Sequence, residues 1–328
     1  MTIKEVAKLA GVSPASVSRY LNDGPVSDSM RFKIRRVIEE TGFQPNQYAQ
    51  TMRSGRSRQI LVIIPRLDSM SASQILNGVS ERLIQSDYML ILGLTGGDHD
   101  KEAQYLKNLQ SSMVDGIILM GTGMTKELRN CILAADRPVV VTGQNFSGIP
   151  CVYHDDYHAV KDLTGRALAG GRRHLAYLGV RREDLAAGEQ RQMGAYDAII
   201  EAGFDPNRCD WGTVEFSFES GELVMKQMLE RSPEIDAVIC ATDTIALGAM
   251  KALRENGRRI PEDVVVGSIG DSWASQAAIP PLTSVHLNYK KCGMIAADML
   301  LSRLGSKRGE ISARQVMLDY SITERGSL

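Results

Sequence analysis

Nearly continuous apolar runs recur along the chain from Ile60 onward, and stretches with helical periodicity separate most of them. Strands this apolar are buried on both faces, which is typical of parallel sheets covered by helices. The runs that we interpret as strands are 60–65, 88–94, 116–121, 138–143, 174–180, 236–241 and 264–269. Because a block of about 270 residues exceeds what one hydrophobic core organises, the pattern predicts an α/β protein with two doubly wound subdomains.

The first 44 residues contain no such run and instead show three short stretches with apolar residues at helical spacing. Gly11 lies between the first two stretches, where a tight turn would join two helices. Pro14 then occupies the first position of the second helix, a favoured place for proline. The residues that we expect to cap these helices are Thr2 with Glu5 in a capping box, Ser13, either Ser27 or Asp28, and Gly42. This arrangement predicts an all-α helix-turn-helix.

Charge is distributed unevenly along the chain, although the formal net charge is only −1. Residues 1–60 carry ten Lys or Arg and five Asp or Glu, whereas the remainder carries 28 basic and 34 acidic residues. A basic segment attached to an acidic body indicates that only the basic segment contacts a polyanion. On this feature alone, chance clustering of charge stays open as an alternative.

Several classes of protein are disfavoured by what the sequence lacks. The five cysteines form no C-x-x-C pair, the N-terminus has no signal-peptide pattern, and no run of about 18 apolar residues occurs. Residues 154–158 contain two histidines and two aspartates, but paired aspartates before an apolar helix predict capping rather than a metal site. We therefore expect a cytoplasmic protein without membrane span, metal, cofactor or catalytic residues. A cytosolic sugar-binding α/β enzyme stays open as the alternative, since parallel-sheet folds support many activities.

Four segments of the chain resemble one known family. They are TIKEVAKLAGVSPASVSRYLN from Thr2, PNQYAQTMRSGRSRQI from Pro45, ICATDTIALGAMKAL from Ile239 and IPPLTSVHLNY from Ile279. They resemble the lactose-repressor (LacI/GalR) family of bacterial transcription regulators, and within it the disaccharide repressors of the trehalose and sucrose type. The resemblance covers essentially the whole chain. It implies a homodimer that binds a pseudo-palindromic double-stranded operator and responds to a small sugar.

The resemblance also implies a domain order. We expect a helix-turn-helix DNA-binding domain over 1–44, a hinge helix and linker over 45–59, and an effector-binding and dimerisation domain over 60–328. The last domain would have a periplasmic-binding-protein-like architecture. Its N-subdomain would span about 60–157 and 286–318, and its C-subdomain would span about 158–285.

The second helix of the head would lie in the major groove of DNA. By family position its base-facing residues are Pro14, Ala15 and Arg19, and the arginine can donate two hydrogen bonds to a guanine edge. The residues that suit phosphate contacts are Thr2, Ser13, Ser16, Ser18 and Asn22. In the hinge, Met52 holds the position of the family's minor-groove wedge, with Ala49 one turn before it and Arg53 beside it. The alternative for Arg19 is a surface ion pair.

Sugar sites combine polar groups that hydrogen-bond to hydroxyls with an aromatic face that covers the apolar side of the ring. The residues at the family's ligand positions are Arg66, Asp68, Gln144, Arg191, Phe216, Thr242, Asp243, Asp271 and Tyr289. Most of them follow strands, where parallel sheets bind ligands. Two alternatives stay open, because Asp243 would also suit a helix cap and Arg191 would also suit an ion pair between subdomains.

The class of sugar is left open by two departures from the family pattern. Glycine holds position 270, where many members carry an acidic residue, and this agrees with the trehalose and sucrose type. Trehalose-6-phosphate sensors carry arginines at the positions of Arg66 and Gln144, and this chain keeps only the first. One of the two arginines that would hold a phosphate is thus missing, so a neutral disaccharide and a sugar phosphate both stay open as the effector.

Overall fold

The computed structural model describes residues 1–43, 56–108, 114–304 and 312–328. It contains two compact units, Met1–Ser57 and Arg58–Leu328, which we describe separately. The first unit consists of helices α1 (Ile3–Ala10), α2 (Pro14–Leu21) and α3 (Asp28–Thr41). In the described ranges, none of the helices is both long and apolar enough to cross a membrane.

Local sequence rules position the three helices of the first unit. The Thr2 backbone N–H donates to Glu5 Oε2 at 2.7 Å, and the Thr2 hydroxyl accepts from the Glu5 N–H, which confirms the capping box. Gly11 ends α1 with a φ of 64°, in the left-handed region that favours glycine. Ser13 caps α2, and the cap of α3 is Ser27. Apolar residues from all three helices then form one small core, composed of Val6, Ala7, Ala10, Val17, Ile34, Val37 and Phe43.

The second unit contains two six-stranded sheets. The first sheet is parallel throughout and has the strand order β11-β5-β4-β3-β1-β2. Its strands are β1 (Gln59–Ile64), β2 (Met89–Leu94), β3 (Gly116–Met120), β4 (Val139–Thr142), β5 (Cys151–His154) and β11 (Gln315–Leu318). The helices that pack on its two faces are α4 (Met70–Gln85) with α12 (Tyr289–Arg303), and α5 (His99–Asn108) with α6 (Lys126–Ala134). We call this sheet with its helices the first lobe.

The second lobe repeats the design with an antiparallel edge. Its sheet has the order β12-β10-β9-β8-β6-β7, in which β12 is the antiparallel strand. The strands are β6 (Leu175–Gly179), β7 (Asp210–Thr213), β8 (Ala237–Cys240), β9 (Val265–Ile269), β10 (Thr283–Leu287) and β12 (Tyr320–Thr323). The covering helices are α7 (Asp156–Ala169) with α8 (Arg191–Glu201), and α9 (Phe218–Arg231) with α10 (Asp243–Glu255). The short helix α11 (Trp273–Ala277) follows β9, and a π-helical turn, Leu185–Gln190, precedes α8.

The chain crosses between the lobes three times. It leaves the first lobe after β5, returns after β10 and leaves again after β11. Only Asp319 separates β11 from β12, although these strands belong to different sheets. The subdomain boundary that we expected near residue 285 lies after Leu287, because β10 pairs with β9 and β12 in the second sheet. Each lobe is therefore built from discontinuous parts of the chain.

Glycines allow the helices α4 and α12 to cross at close range. A Cβ added at Gly78 of α4 would lie 2.0 Å from the Lys290 carbonyl oxygen, and one added at Gly293 of α12 would lie 2.0 Å from the Ile75 carbonyl oxygen. No side chain fits at either position without moving a backbone. The crossing fixes the start of α12, and with it Tyr289, at a passage between the lobes.

Candidate functional site

In the first unit, helix α2 presents one buried face and one exposed face. Val17 is fully buried against the small core, whereas Pro14, Ala15 and Arg19 are exposed. The guanidinium of Arg19 forms no ion pair with any carboxylate among the residues that the structure describes. The exposed face of α2 thus combines an arginine with two small apolar residues. Such a face could enter the major groove and contact base edges.

The polar residues expected at the phosphates lie at the ends of α1 and α2. Ser13 Oγ accepts from the Ser16 N–H at 3.1 Å, and the two hydroxyls lie 2.9 Å apart. Asn22 Nδ2 donates to the Ser18 carbonyl at 2.6 Å and ends the helix. These bonds hold the Ser13 and Ser16 hydroxyls at the start of α2, where a helix N-terminus favours anions, and the Asn22 amide at its other end. The hinge residues Ala49, Met52 and Arg53 lie outside the described residues.

In the second unit, an arginine of one lobe lies over an aromatic ring of the other. Arg66 follows β1 and Phe216 follows β7, and the guanidinium carbon lies 4.6 Å from the ring centroid. A cation at this distance from an aromatic face is attracted to it. Asp68 lies 3.6 Å from Arg66, but its side chain is 78% exposed, so this ion pair contributes little. Because the two residues follow strands of different lobes, their contact lies where the lobes meet.

A second contact between the lobes joins Gln144 to Asp184. Gln144 follows β4 and is buried, and its Nε2 donates to Asp184 Oδ1 at 3.1 Å. Next to it, the Leu185 N–H donates to the Thr122 carbonyl at 3.1 Å, so backbone from both lobes is paired. Burial raises the pKa of the Asp184 carboxyl, because it disfavours the charged form. This part of the cleft therefore combines an amide and a carboxyl group.

Arg191 lies at the centre of a buried polar group near the passages between the lobes. Its Nε donates to Asp156 Oδ1 at 2.7 Å and its Nη1 donates to the Ala241 carbonyl at 2.5 Å. The two side chains of this ion pair are 6% and 5% exposed. Burial alone would lower the pKa of the guanidinium, but the Asp156 carboxylate and, less strongly, the nearby Tyr289 hydroxyl raise it above its ordinary value. Arg191 is therefore a charged group near the passages between the lobes.

Comparison with known proteins identifies the family. Residues 57–323 match the family described as "Periplasmic binding proteins and sugar binding domain of LacI family", and residues 2–46 match "Bacterial regulatory proteins, lacI family". The chain belongs to the LacI family. It is a DNA-binding transcriptional repressor with a LacI-type sugar-binding domain, as the resemblance of its sequence implied.

Relatives of this LacI-family repressor match it over most of their length. It is 32% identical to the Sucrose operon repressor of Staphylococcus xylosus, covering 91% of this chain and 92% of that protein. It is 31% identical to the transcriptional regulator RegA of Clostridium saccharobutylicum, covering 99% and 98%. The solved structure of a CelR–cellobiose complex has 28% identity and a TM-score of 0.74, covering 100% and 99%. A Lac repressor dimer bound to operator and an anti-inducer shares the fold, with a TM-score of 0.89, 24% identity and coverage of 100% and 98%.

Two other expected ligand residues of this LacI-family repressor are bound to protein groups within the second lobe. Asp243, at the start of α10, accepts hydrogen bonds from the Ser268 hydroxyl at 2.5 Å and the Ser284 hydroxyl at 2.6 Å. Asp271 accepts from Arg325. Ser284 connects the two aspartates, since its hydroxyl also accepts from the Asp271 N–H at 2.9 Å.

The structure distributes the expected ligand residues over three places. Contacts between the lobes involve Arg66 with Phe216, and Gln144 with Asp184. Arg191 and Tyr289 lie near the passages between the lobes, whereas Asp243 and Asp271 are bound within the second lobe. Thr242 caps α10, and its hydroxyl accepts from the Ile245 N–H at 3.4 Å.

The sequence reasoning missed two acidic partners. Asp156 was interpreted as part of a helix cap, and Asp155 holds that cap by accepting from the His158 N–H at 3.2 Å. Asp156 instead faces Arg191, which is 35 positions away. Asp184 was not singled out, although it follows a strand-forming run in the same way as the residues that were. Its position after β6 was the signal that could have found it.

Proposed function

We propose that this LacI-family repressor acts in the bacterial cytoplasm as a homodimer on a pseudo-palindromic operator of a disaccharide-utilisation operon. A disaccharide, or its 6-phosphate, in the cleft between the lobes would control it. The observation that carries the effector proposal is the contact of Arg66 with Phe216, because it supplies a polar fork and an aromatic face at one cleft. The Sucrose operon repressor and the CelR–cellobiose complex among its relatives support a disaccharide.

The cleft suits a sugar because it offers both kinds of group that sugar rings require. Phe216 would cover the apolar side of a ring, while Gln144 and Arg191 would hydrogen-bond to hydroxyls. In the described structure Gln144 instead donates to Asp184, and Arg66 lies over Phe216, so each of these two pairs joins the lobes. A sugar that replaces the contacts between Arg66 and Phe216 and between Gln144 and Asp184 would change the angle between the lobes. No cofactor or metal is needed for such a change.

Control of DNA binding would follow from the pairing of two heads. A dimeric helix-turn-helix protein binds two half-sites, whose spacing must match that of its two reading helices. A change in lobe angle alters this spacing, so the sugar changes operator affinity. The hinge residues Ala49, Met52 and Arg53 would add a minor-groove contact that forms only in the matched geometry.

The test is an electrophoretic mobility shift with a palindromic operator duplex, at several salt concentrations, with and without disaccharide. We expect a specific shift that weakens steeply as salt rises, because basic groups of the head displace counterions from phosphates. Sucrose, trehalose, cellobiose and the 6-phosphates of the first two are then added. A protein that shifts no such duplex, but turns over one of these sugars, would be the enzyme alternative.

Arg19→Ala is expected to weaken operator binding by about 1–3 kcal/mol and to relax specificity at one base position. The reason is that Arg19 is an exposed donor on α2, the helix that we expect to lie in the major groove. A matched control is Arg36→Ala, which removes the same charge from α3 of the head, where the side chain pairs with Glu40. Binding is measured on operator duplexes substituted at each base pair. If Arg19→Ala weakens binding to every duplex equally, it contacts phosphate rather than bases.

A further inference from the structure

The ionisable groups around the cleft are unequally balanced. Two arginines, Arg66 and Arg191, face three aspartates, Asp68, Asp156 and Asp184. The buried arginine is already paired with Asp156. Among the described residues, Asp184 is the one of these three aspartates that pairs with neither arginine.

Asp184 is the carboxylate of this group that has no salt bridge within the described parts of the chain. Its two hydrogen bonds come from neutral donors, Gln144 Nε2 at 3.1 Å and the Ala187 N–H at 2.9 Å. Both bonds end on Oδ1. Oδ2 accepts no hydrogen bond from any residue that the structure describes, whereas an ionised carboxylate can accept about four.

The free oxygen lies at a junction of the lobes. Gln144 belongs to the first lobe and Asp184 to the second, and the pair adjoins the backbone bond between Leu185 and Thr122. Arg66 and Phe216 form another contact between the lobes. A sugar bound beside this junction would have Oδ2 as an available acceptor, and a hydroxyl is the sugar group that could donate to it.

We propose that Asp184 makes the cleft selective for an uncharged sugar over a sugar phosphate. A hydroxyl donates to its free Oδ2, whereas a phosphate carries about −1.5 to −2 charges and only acceptor oxygens, so it is repelled. This inference rests on the proposed function, because it names the class of sugar that the same cleft binds.

The test is isothermal titration calorimetry on the full-length protein, with sucrose, trehalose and the 6-phosphate of each as probes. Wild type is expected to bind one of the uncharged disaccharides at least about tenfold more tightly than its 6-phosphate, since facing like charges are strongly unfavourable. Asp184→Asn keeps an oxygen for Gln144 and for the Ala187 N–H but removes the charge. It is expected to reduce that preference by about tenfold or more, through tighter binding of the phosphate.

Glu183→Gln is the matched control, because it removes the same charge one residue away, from an exposed side chain. It is expected to leave the preference unchanged. Gln144→Lys provides a second route, because it places a cation against Asp184 and should also reduce the preference. Thermal unfolding of each variant shows whether it is folded; if Asp184→Asn is not, the lysine variant decides.

Three outcomes would overturn the proposal. If wild type binds a 6-phosphate more tightly than its parent sugar, the selectivity is the reverse of that proposed, although the disaccharide effector stands. If folded Asp184→Asn, or Gln144→Lys in its place, keeps the wild-type preference, another residue sets it. If neither sugar binds in either form while the operator shift persists, the disaccharide effector itself is wrong and this inference falls with it.

Discussion

Arg191→Ala is expected to lower the free energy of unfolding of the second unit by about 3–5 kcal/mol, because it leaves a buried carboxylate without its cation. The Asp156 side chain is only 5% exposed, so water would replace little of the lost interaction. The Ala241 carbonyl also loses the donor that Arg191 Nη1 supplies. The measurement is urea unfolding followed by circular dichroism, with the midpoint and slope fitted separately.

The matched variants separate charge from shape. Arg191→Lys keeps the cation but cannot bond to Asp156 and the Ala241 carbonyl with the same planar fork, so we expect a smaller loss, of about 1–2 kcal/mol. The double variant Arg191→Met with Asp156→Leu removes both charges and should recover most of the stability lost by alanine. If Arg191→Ala lowers the free energy of unfolding no more than Arg191→Lys does, the ion pair is not the source of that stability.

The same arginine is expected to carry the response to sugar. Folded Arg191→Lys should still shift the operator in a gel, because the head is a separate compact unit. Its operator complex should no longer respond to a disaccharide that acts on wild type. A normal sugar response in this variant would show that Arg191 stabilises the second lobe without contacting the effector.

Gly78→Ala is expected to destabilise the second unit by at least about 3 kcal/mol, at the upper end of overpacking effects. The new Cβ would lie 2.0 Å from the Lys290 carbonyl oxygen and 2.9 Å from the Met294 nitrogen. Both contacts are backbone atoms of α12, so no side-chain rotation relieves them. The helices must separate, and α12 then loses packing against the first sheet.

Gly165→Ala is the matched control for this substitution. It lies inside helix α7, and a Cβ there has no atom within 4 Å. Alanine is the better helix former, so we expect a gain of up to about 1 kcal/mol. Urea unfolding of both variants shows whether each substitution raises or lowers the free energy of unfolding. Equal destabilisation by both would mean that the crossing of α4 and α12 is looser than the structure shows.

The small helical unit could be predicted almost residue by residue, because its determinants are local. The capping box at Thr2, the turn at Gly11 and the cap at Ser13 each depend on neighbours within a few positions. The end of α3 at Gly42 follows the same rule. Only the choice between Ser27 and Asp28 needed the structure, since both residue types cap helices well.

The large unit could be predicted only where its strands are long and apolar. All seven predicted strands are present, and fold class and family are confirmed. The missed strands are short or polar, namely β5, β7, β10, β11 and β12. Four of them, β5, β10, β11 and β12, lie next to passages between the lobes, where a partner strand is far away in sequence. Local periodicity contains no information about such pairings.

The candidate site could be predicted as positions but not as contacts. The family resemblance identified Arg191 and Gln144 as residues of interest, yet their partners Asp156 and Asp184 come from remote segments. Sequence reasoning left Arg191 open between a ligand contact and an ion pair between subdomains. The structure shows an ion pair, but its partner Asp156 begins a helix of the same lobe. Whether Arg191 also binds sugar stays a prediction.

The single residue between β11 and β12 has a consequence for synthesis on the ribosome. The first sheet needs β11 and the second needs β12, and only Asp319 separates the two strands. Neither sheet is therefore complete until residues 315–323 have left the exit tunnel. At about 5–20 residues per second, β1 waits on the order of ten seconds or more for its sheet to be finished. Apolar strands exposed over that interval make this architecture a natural client for chaperones.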